Sequence, residues 1–143
     1  MDEKSDVIEL LKQNNVIQIN PQGKSMLPLL VEGRDAVILR SVEQKDIRRG
    51  QVLLYRGQYG VLTLHRVWKV GNDGVFFVGD SQVEVEGPVR FDYIYGTMCG
   101  YVRKGKEHST NEVMYRLIYG IWLFLRPVRA WIVASVSRLK GKK

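Results

Sequence analysis

The tetrad Gly71-Asn72-Asp73-Gly74 constrains this chain most. It separates the β-like run Val61 to Val70 from the run Val75 to Val78. Gly, Asn and Asp reach the positive φ values that a tight hairpin demands, so the two runs read as antiparallel partners. With that hairpin set, the neighbouring segments fall into the same pattern. Residues 51–56 form a further strand, turned back towards Val61 by Gly57 to Gly60. Upstream, residues 16–19 and 36–40 are short apolar strands. Downstream, Val89 to Val102 reads as one or two strands broken at Gly96 and Gly100. Ser41 to Gly50 is a charged connection, and Gly79 to Pro88 is a loop rich in acids. From 16 to 103 the chain is therefore mainly β, a pattern that suits a coiled sheet or an incomplete barrel.

Both flanks differ from this body. Residues 6–13 place apolar side chains at 7, 8, 10 and 11, which predicts a short amphipathic helix capped by Ser5 or Asp6. Arg103 to Thr110 reads as a polar linker, and the chain beyond it is helical in composition. Leu117, Ile118, Ile121, Trp122, Leu123, Phe124 and Leu125 are densely apolar, and Pro127 interrupts them. A membrane span needs about 20 apolar residues. The window from Leu117 to Val136 has the length but holds Arg126, Pro127 and Arg129 at its centre. Each central arginine costs about 2.5 to 3.5 kcal/mol on insertion scales. Two short helices lying in the interface, or docked on a partner membrane protein, fit better than a clean span. Packing of residues 112–125 on the chain's own sheet is the competing arrangement. The organisation expected is a β domain over 1–105 and an amphipathic, membrane-associated helical tail over 106–143.

The formal net charge is +7, from 22 Lys and Arg against 15 Asp and Glu. Such a balance suits nucleic acid or an anionic membrane. Arg126, Arg129, Arg138, Lys140, Lys142 and Lys143 gather beside the most apolar stretch, which favours a membrane interface. No nucleic-acid motif is present, so no such partner is expected. Cys99 is the single cysteine, which excludes an intrachain disulfide and a multi-cysteine metal site. His65 and His108 do not have metal-ligand spacing. No cofactor is expected. Met1 to Ser5 is charged, without the apolar core of a signal peptide or anchor. Membrane association through the tail is the localisation expected, with the side of the membrane left open.

The residues that carry chemistry begin at Gly23-Lys24-Ser25-Met26-Leu27-Pro28. Alone this is an ordinary loop serine. Further segments follow it in order: Ile47 to Val52, then Leu64-His65-Arg66-Val67, then Val78-Gly79-Asp80-Ser81-Gln82. Together they resemble the boxes of the type I signal peptidase superfamily, over roughly residues 17 to 103. The resemblance is to the branch with histidine where bacterial housekeeping enzymes have lysine. It implies a coiled sheet of the signal peptidase type and a serine endopeptidase that cuts signal or leader peptides after small residues. The substrate would bind as an added strand.

By the same resemblance Ser25 is the nucleophile and His65 the base that takes its proton. Three acids compete to orient His65. Asp80, in the Gly-Asp box, comes first. Glu86 follows, at the place six residues on where histidine-type enzymes carry their third member. Asp92 comes last. Asp35 reads as structural. The chain departs from the family's pattern in that Met1 to Ser5 predicts no N-terminal membrane helix, in placing Arg34 between Gly33 and Asp35, and in having Gly23 where some members use a serine as second oxyanion donor. Two other readings stand beside this one. The first is a catalytically inactive β-module that binds leader peptides or scaffolds a secretion or peptide-maturation complex. The second is a self-cleaving relative of the SOS-repressor peptidases. That group uses a lysine base and usually carries a helix-turn-helix domain, which the residues ahead of Val16 are too few to build.

Overall fold

The computed structural model describes residues 3–13, 15–21, 26, 30–57, 60–82, 84–110, 117, 118, 120, 121 and 124. One helix, α1 (Glu3–Lys12), precedes eight strands. These are β1 (Ile17–Ile19), β2 (Asp35–Arg40), β3 (Val52–Arg56), β4 (Leu62–Val70), β5 (Val75–Val78), β6 (Glu86–Val89), β7 (Ile94–Arg103) and β8 (Lys106–Ser109). They form one antiparallel sheet in the order β1-β2-β7-β3-β4-β5-β6, with β8 paired to β7. The sheet is mainly a meander and does not close, because β1 and β6 lie at opposite ends of that order.

Alternation along β3 divides the interior into two cores. Val52 and Leu54 join Leu11, Met26, Leu30, Val37, Leu39 and Met98. Leu53 and Tyr55 join Ile47, Val67, Val75, Phe77, Val89 and Ile94. All four of these β3 residues are buried, so the strand is covered on both faces. Helix α1 contributes Leu11, fully buried, to the first core.

A charged anchor closes one end. The Asp35 carboxylate accepts hydrogen bonds from Arg103 Nε (2.7 Å), Arg34 Nη2 (2.9 Å) and the Val31 N–H (2.9 Å). Asp35 and Arg103 are register partners across β2 and β7. Burial alone would raise the Asp35 carboxyl, but the bonds from Arg103, Arg34 and Val31 outweigh it and hold it at about 2.

Three segments differ from their sequence-based readings. The expected acidic loop Gly79 to Pro88 contains the start of β6. A Glu-Gly-Pro-Val strand has no apolar alternation to announce it, and its proline, lacking an N–H, is tolerated because β6 is an edge. Strand β7 runs unbroken through Gly96 and Gly100. A Cβ on Gly96 would stand 2.9 Å from the Arg40 carbonyl oxygen, and one on Gly100 would stand 2.6 Å from that of His108. These glycines mark close backbone approach, not strand ends. The expected linker Arg103 to Thr110 is a hairpin. Lys104 (φ 55°) and Gly105 (φ 76°) supply the paired positive φ values of a type I′ turn, and β8 returns along β7.

Most of the C-terminal tail lies outside the described residues. Leu117, Ile118, Gly120, Ile121 and Phe124 are helical. No helix among the described residues is long and apolar enough to cross a membrane.

The Asp35 anchor has a definite acid signature. Its folded-state pKa lies below the unfolded value of 3.8, so its stabilisation is complete above about pH 4 and is lost as pH falls towards 2. Denaturant titrations from pH 6 to 2 should show the wild type losing about 2 kcal/mol more than Asp35→Asn across that window. Parallel pH curves for the two proteins would refute the anchor.

Candidate active site

His65 sits in the middle of β4, in register with Leu53 of β3, and Tyr55 is in register with Thr63. Side chains two apart share a face, so Tyr55 and His65 are diagonal neighbours on the second-core side. The Tyr55 hydroxyl lies 3.0 Å from His65 Nδ1. The same hydroxyl donates to Glu86 Oε2 at 3.1 Å. Glu86 opens β6 and is in register with Phe77 of β5. Phe77 stacks on Tyr55, with ring centroids 3.9 Å apart and planes 11° from parallel. Strands β3, β4 and β6 thus bring a phenol, an imidazole and a carboxylate into one line, and β5 supplies the wall against which the phenol is held.

One glycine keeps room for this line. A Cβ on Gly57 would stand 2.9 Å from Thr63 Oγ1 and 3.3 Å from Glu86 Oε1. Gly57 therefore leaves the space beside Glu86 clear. His65 is 7% exposed and Tyr55 is fully buried. Burial pushes the imidazole below its ordinary value of 6.5, while the charges of Glu86 and Asp80 pull it back up. Burial also pushes the Tyr55 hydroxyl well above the usual range, and the Glu86 charge adds to the effect, so the phenol stays neutral. Among the described residues, Tyr55 is the one hydrogen-bond partner of the His65 ring.

Asp80 is committed elsewhere. Its two oxygens accept from Arg66 Nε and Nη2, each at 2.8 Å, and both side chains are fully buried. Arg66 Nη1 also donates to the Gly50 carbonyl at 2.8 Å. Arg66 follows His65 directly, so its side chain leaves β4 on the opposite face. The Gly79-Asp80 turn is thereby pinned to β4 and to the start of β3. Asp92 lies on a surface turn and pairs with the exposed Arg90 at 3.3 Å.

Ser25 lies outside the described residues, as do its neighbours Gly23, Lys24, Leu27 and Pro28. Met26, the next residue, is buried in the first core, and its carbonyl accepts from the Leu30 N–H at 2.9 Å. Two members of the site escape sequence reasoning. Tyr55 reads as a core aromatic in an apolar strand, and Gly57 reads as a turn residue. Only the β3–β4 register reveals that Tyr55 reaches the histidine.

Among the described residues no cluster of three His, Cys, Asp or Glu side chains is arranged to hold a metal ion. An open groove of about 500 Å³ is lined by Ile47, Arg48, Arg49, Trp68, Lys69 and Val70, none of which belongs to the line of Tyr55, His65 and Glu86. The Arg49 guanidinium stacks over Trp68 at 4.6 Å from the ring centroid. Compared with protein-family models, with curated proteins and with solved structures, the chain matches none.

The two acids differ in what their loss should do. Asp80→Asn strips the buried Arg66 guanidinium of a full counter-charge, which should cost about 3 to 5 kcal/mol in chemical denaturation. Glu86→Gln keeps a polar side chain of the same size at a half-buried edge and should cost about 1 kcal/mol or less. Equal losses for the two variants would overturn this division of roles.

Proposed function

We propose that the protein is a serine endopeptidase of the signal peptidase type, which cuts signal or leader peptides after small residues. Ser25 is its nucleophile and His65 its general base. One observation carries the reading. A buried imidazole on a rigid strand is held through Nδ1 by a hydroxyl that is itself bonded to a carboxylate, in a chain whose Ser25 stands in the matching serine box. The open antiparallel sheet is compatible with the coiled sheet that the resemblance implies.

The chemistry follows from these groups. His65 Nε2 takes the proton of Ser25 Oγ as the oxygen attacks the scissile carbonyl. The resulting imidazolium gives that proton to the departing amine. Water, deprotonated by the same nitrogen, then opens the acyl-enzyme and restores the serine. Of the three acids weighed from the sequence, Glu86 is the one connected to the ring, through Tyr55.

Cleavage of leader peptides ending in small residues, in detergent and across about pH 5 to 9, tests the reading. Ser25→Ala and His65→Ala should each abolish cutting while the protein stays folded. For the wild type, kcat/KM should rise with pH through an apparent pKa below 6.5, because burial favours the neutral, proton-accepting ring. Folded protein without serine-dependent cutting would overturn the reading and favour a module that binds leader peptides without cleaving them.

The reading includes association with a membrane through the C-terminal segment. Its support is the exposure of Leu117, Ile118, Ile121 and Phe124, the last 83% exposed. Their spacing of i, i+1, i+4 and i+7 falls along one side of a helix. Replacing Ile121 and Phe124 together by Asp should move the full chain from the membrane pellet to the soluble fraction. Unchanged fractionation would count against this assignment.

A further inference from the structure

We infer that Tyr55 is a positioning residue: it conveys the charge of Glu86 to His65 and so fixes which nitrogen of the imidazole bears the proton. The catalytic consequence rests on the peptidase reading above; the tautomer itself does not.

The inference follows from counting protons. A phenol has one hydrogen to donate and two lone pairs to accept with, and a carboxylate can only accept. Tyr55 Oη lies 3.1 Å from Glu86 Oε2 and 3.0 Å from His65 Nδ1. The one phenolic hydrogen therefore goes to Glu86, and the contact with Nδ1 is satisfied only if Nδ1–H donates to the phenol oxygen. A neutral imidazole with its proton on Nδ1 has its lone pair on Nε2. That is the tautomer a base acting through Nε2 requires.

The surroundings keep the phenol from escaping this role. Its ring is clamped against Phe77 at 3.9 Å, and it is fully buried. Tyr55 and His65 are fixed relative to each other by the β3–β4 register, and Glu86 is fixed to Phe77 by the β5–β6 register. The Thr63 hydroxyl, close to the same space, donates to the Val61 carbonyl at 3.1 Å instead. Each member of the line thus has one assigned direction of donation, and the direction originates in the carboxylate.

This arrangement is undone when the carboxylate is replaced by an apolar side chain. In Glu86→Leu no acceptor remains at residue 86 for the phenolic hydrogen. The phenol then turns its hydrogen towards Nδ1, and the imidazole proton moves to Nε2. The ring keeps its place but presents a hydrogen where it previously presented a lone pair. An isolated structural contact between Tyr55 and His65 would not make the tautomer depend on residue 86.

The test is nitrogen-15 NMR of the imidazoles in the full chain at about pH 8, with the His108 signals assigned from His108→Gln. Wild type should show His65 protonated on Nδ1. Glu86→Leu should convert it to the Nε2–H form, and Tyr55→Phe should also release it from Nδ1–H. Adding Glu86→Leu to Tyr55→Phe should then change the ring signals no further. Should Tyr55→Phe fail to fold, Glu86→Leu, which keeps the buried phenol, decides the matter alone. A wild-type Nε2–H tautomer, or a tautomer unmoved by Glu86→Leu, overturns the inference.

Peptide cleavage provides the second readout. A histidine held in the wrong tautomer should lower kcat by about 10²- to 10⁴-fold, with KM changed much less. Expected NMR shifts without any serine-dependent cleavage would sustain the relay and defeat the peptidase reading. Serine-dependent cleavage with a tautomer insensitive to residues 55 and 86 would do the reverse.

Discussion

The pairing of Leu53 with His65 is the constraint on which the site depends. Strand β3 lies between β7 and β4 and is buried on both faces, so it has little freedom to shift. Because side chains alternate, that register sends Tyr55 and His65 to one face and Arg66 to the other. A slip of one residue would exchange them. The imidazole would then face the first core, and the guanidinium would face the aromatic wall of Tyr55 and Phe77. The two cores make such a slip costly, since it would also take Val67 out of the second core and Leu62 and Leu64 away from the first.

Two ion pairs built on buried carboxylates reinforce the strand registers. Arg66 spans from β4 to the turn after β5 through Asp80, and to the start of β3 through the Gly50 carbonyl. Asp35 ties the ends of β2 and β7 through Arg103. Neither pair needs to add much net stability to matter, because desolvation offsets most of the Coulomb attraction. Their effect is on alternatives. A shifted strand would leave a buried charge without its counter-charge, and that penalty is several kcal/mol. Asp80 is thus fully occupied in holding the turn from which the chain proceeds to Glu86.

Much of the frame was legible in the sequence where turn chemistry and apolar runs agree. The Gly71 to Gly74 turn, the runs that became β2, β3, β4 and β5, and the helix near residues 6–13 are of this kind. Strands β6 and β8 were not, because neither has an apolar alternation. They are strands by virtue of their partners, β5 and β7. The glycines of β7 misled because a strand glycine signals either a break or a close neighbour, and only the neighbour's position decides. The residues of the candidate site were legible to the same degree. His65, Asp80 and Glu86 could be singled out by their order in the chain. The hydroxyl that joins His65 to Glu86 could not, since a tyrosine in Val-Leu-Leu-Tyr-Arg is indistinguishable from an ordinary core residue until β4 is laid beside it.

If His65 is the base of the proposed peptidase, the phenol also answers a difficulty that a buried base creates. Burial lowers the pKa of His65 and keeps it neutral, which readies it to accept a proton but makes the resulting imidazolium costly. A carboxylate in direct contact would remove that cost, yet it would raise the pKa and let the ring charge before the reaction begins. With Tyr55 between them, Glu86 acts at a distance and through a polarised hydroxyl. Its attraction for the imidazolium is weaker than in a direct ion pair, and the resting ring stays neutral. The two carboxylates then differ in place: the fully buried one, Asp80, neutralises the arginine, while the half-buried one, Glu86, is kept one side chain, Tyr55, away from the histidine.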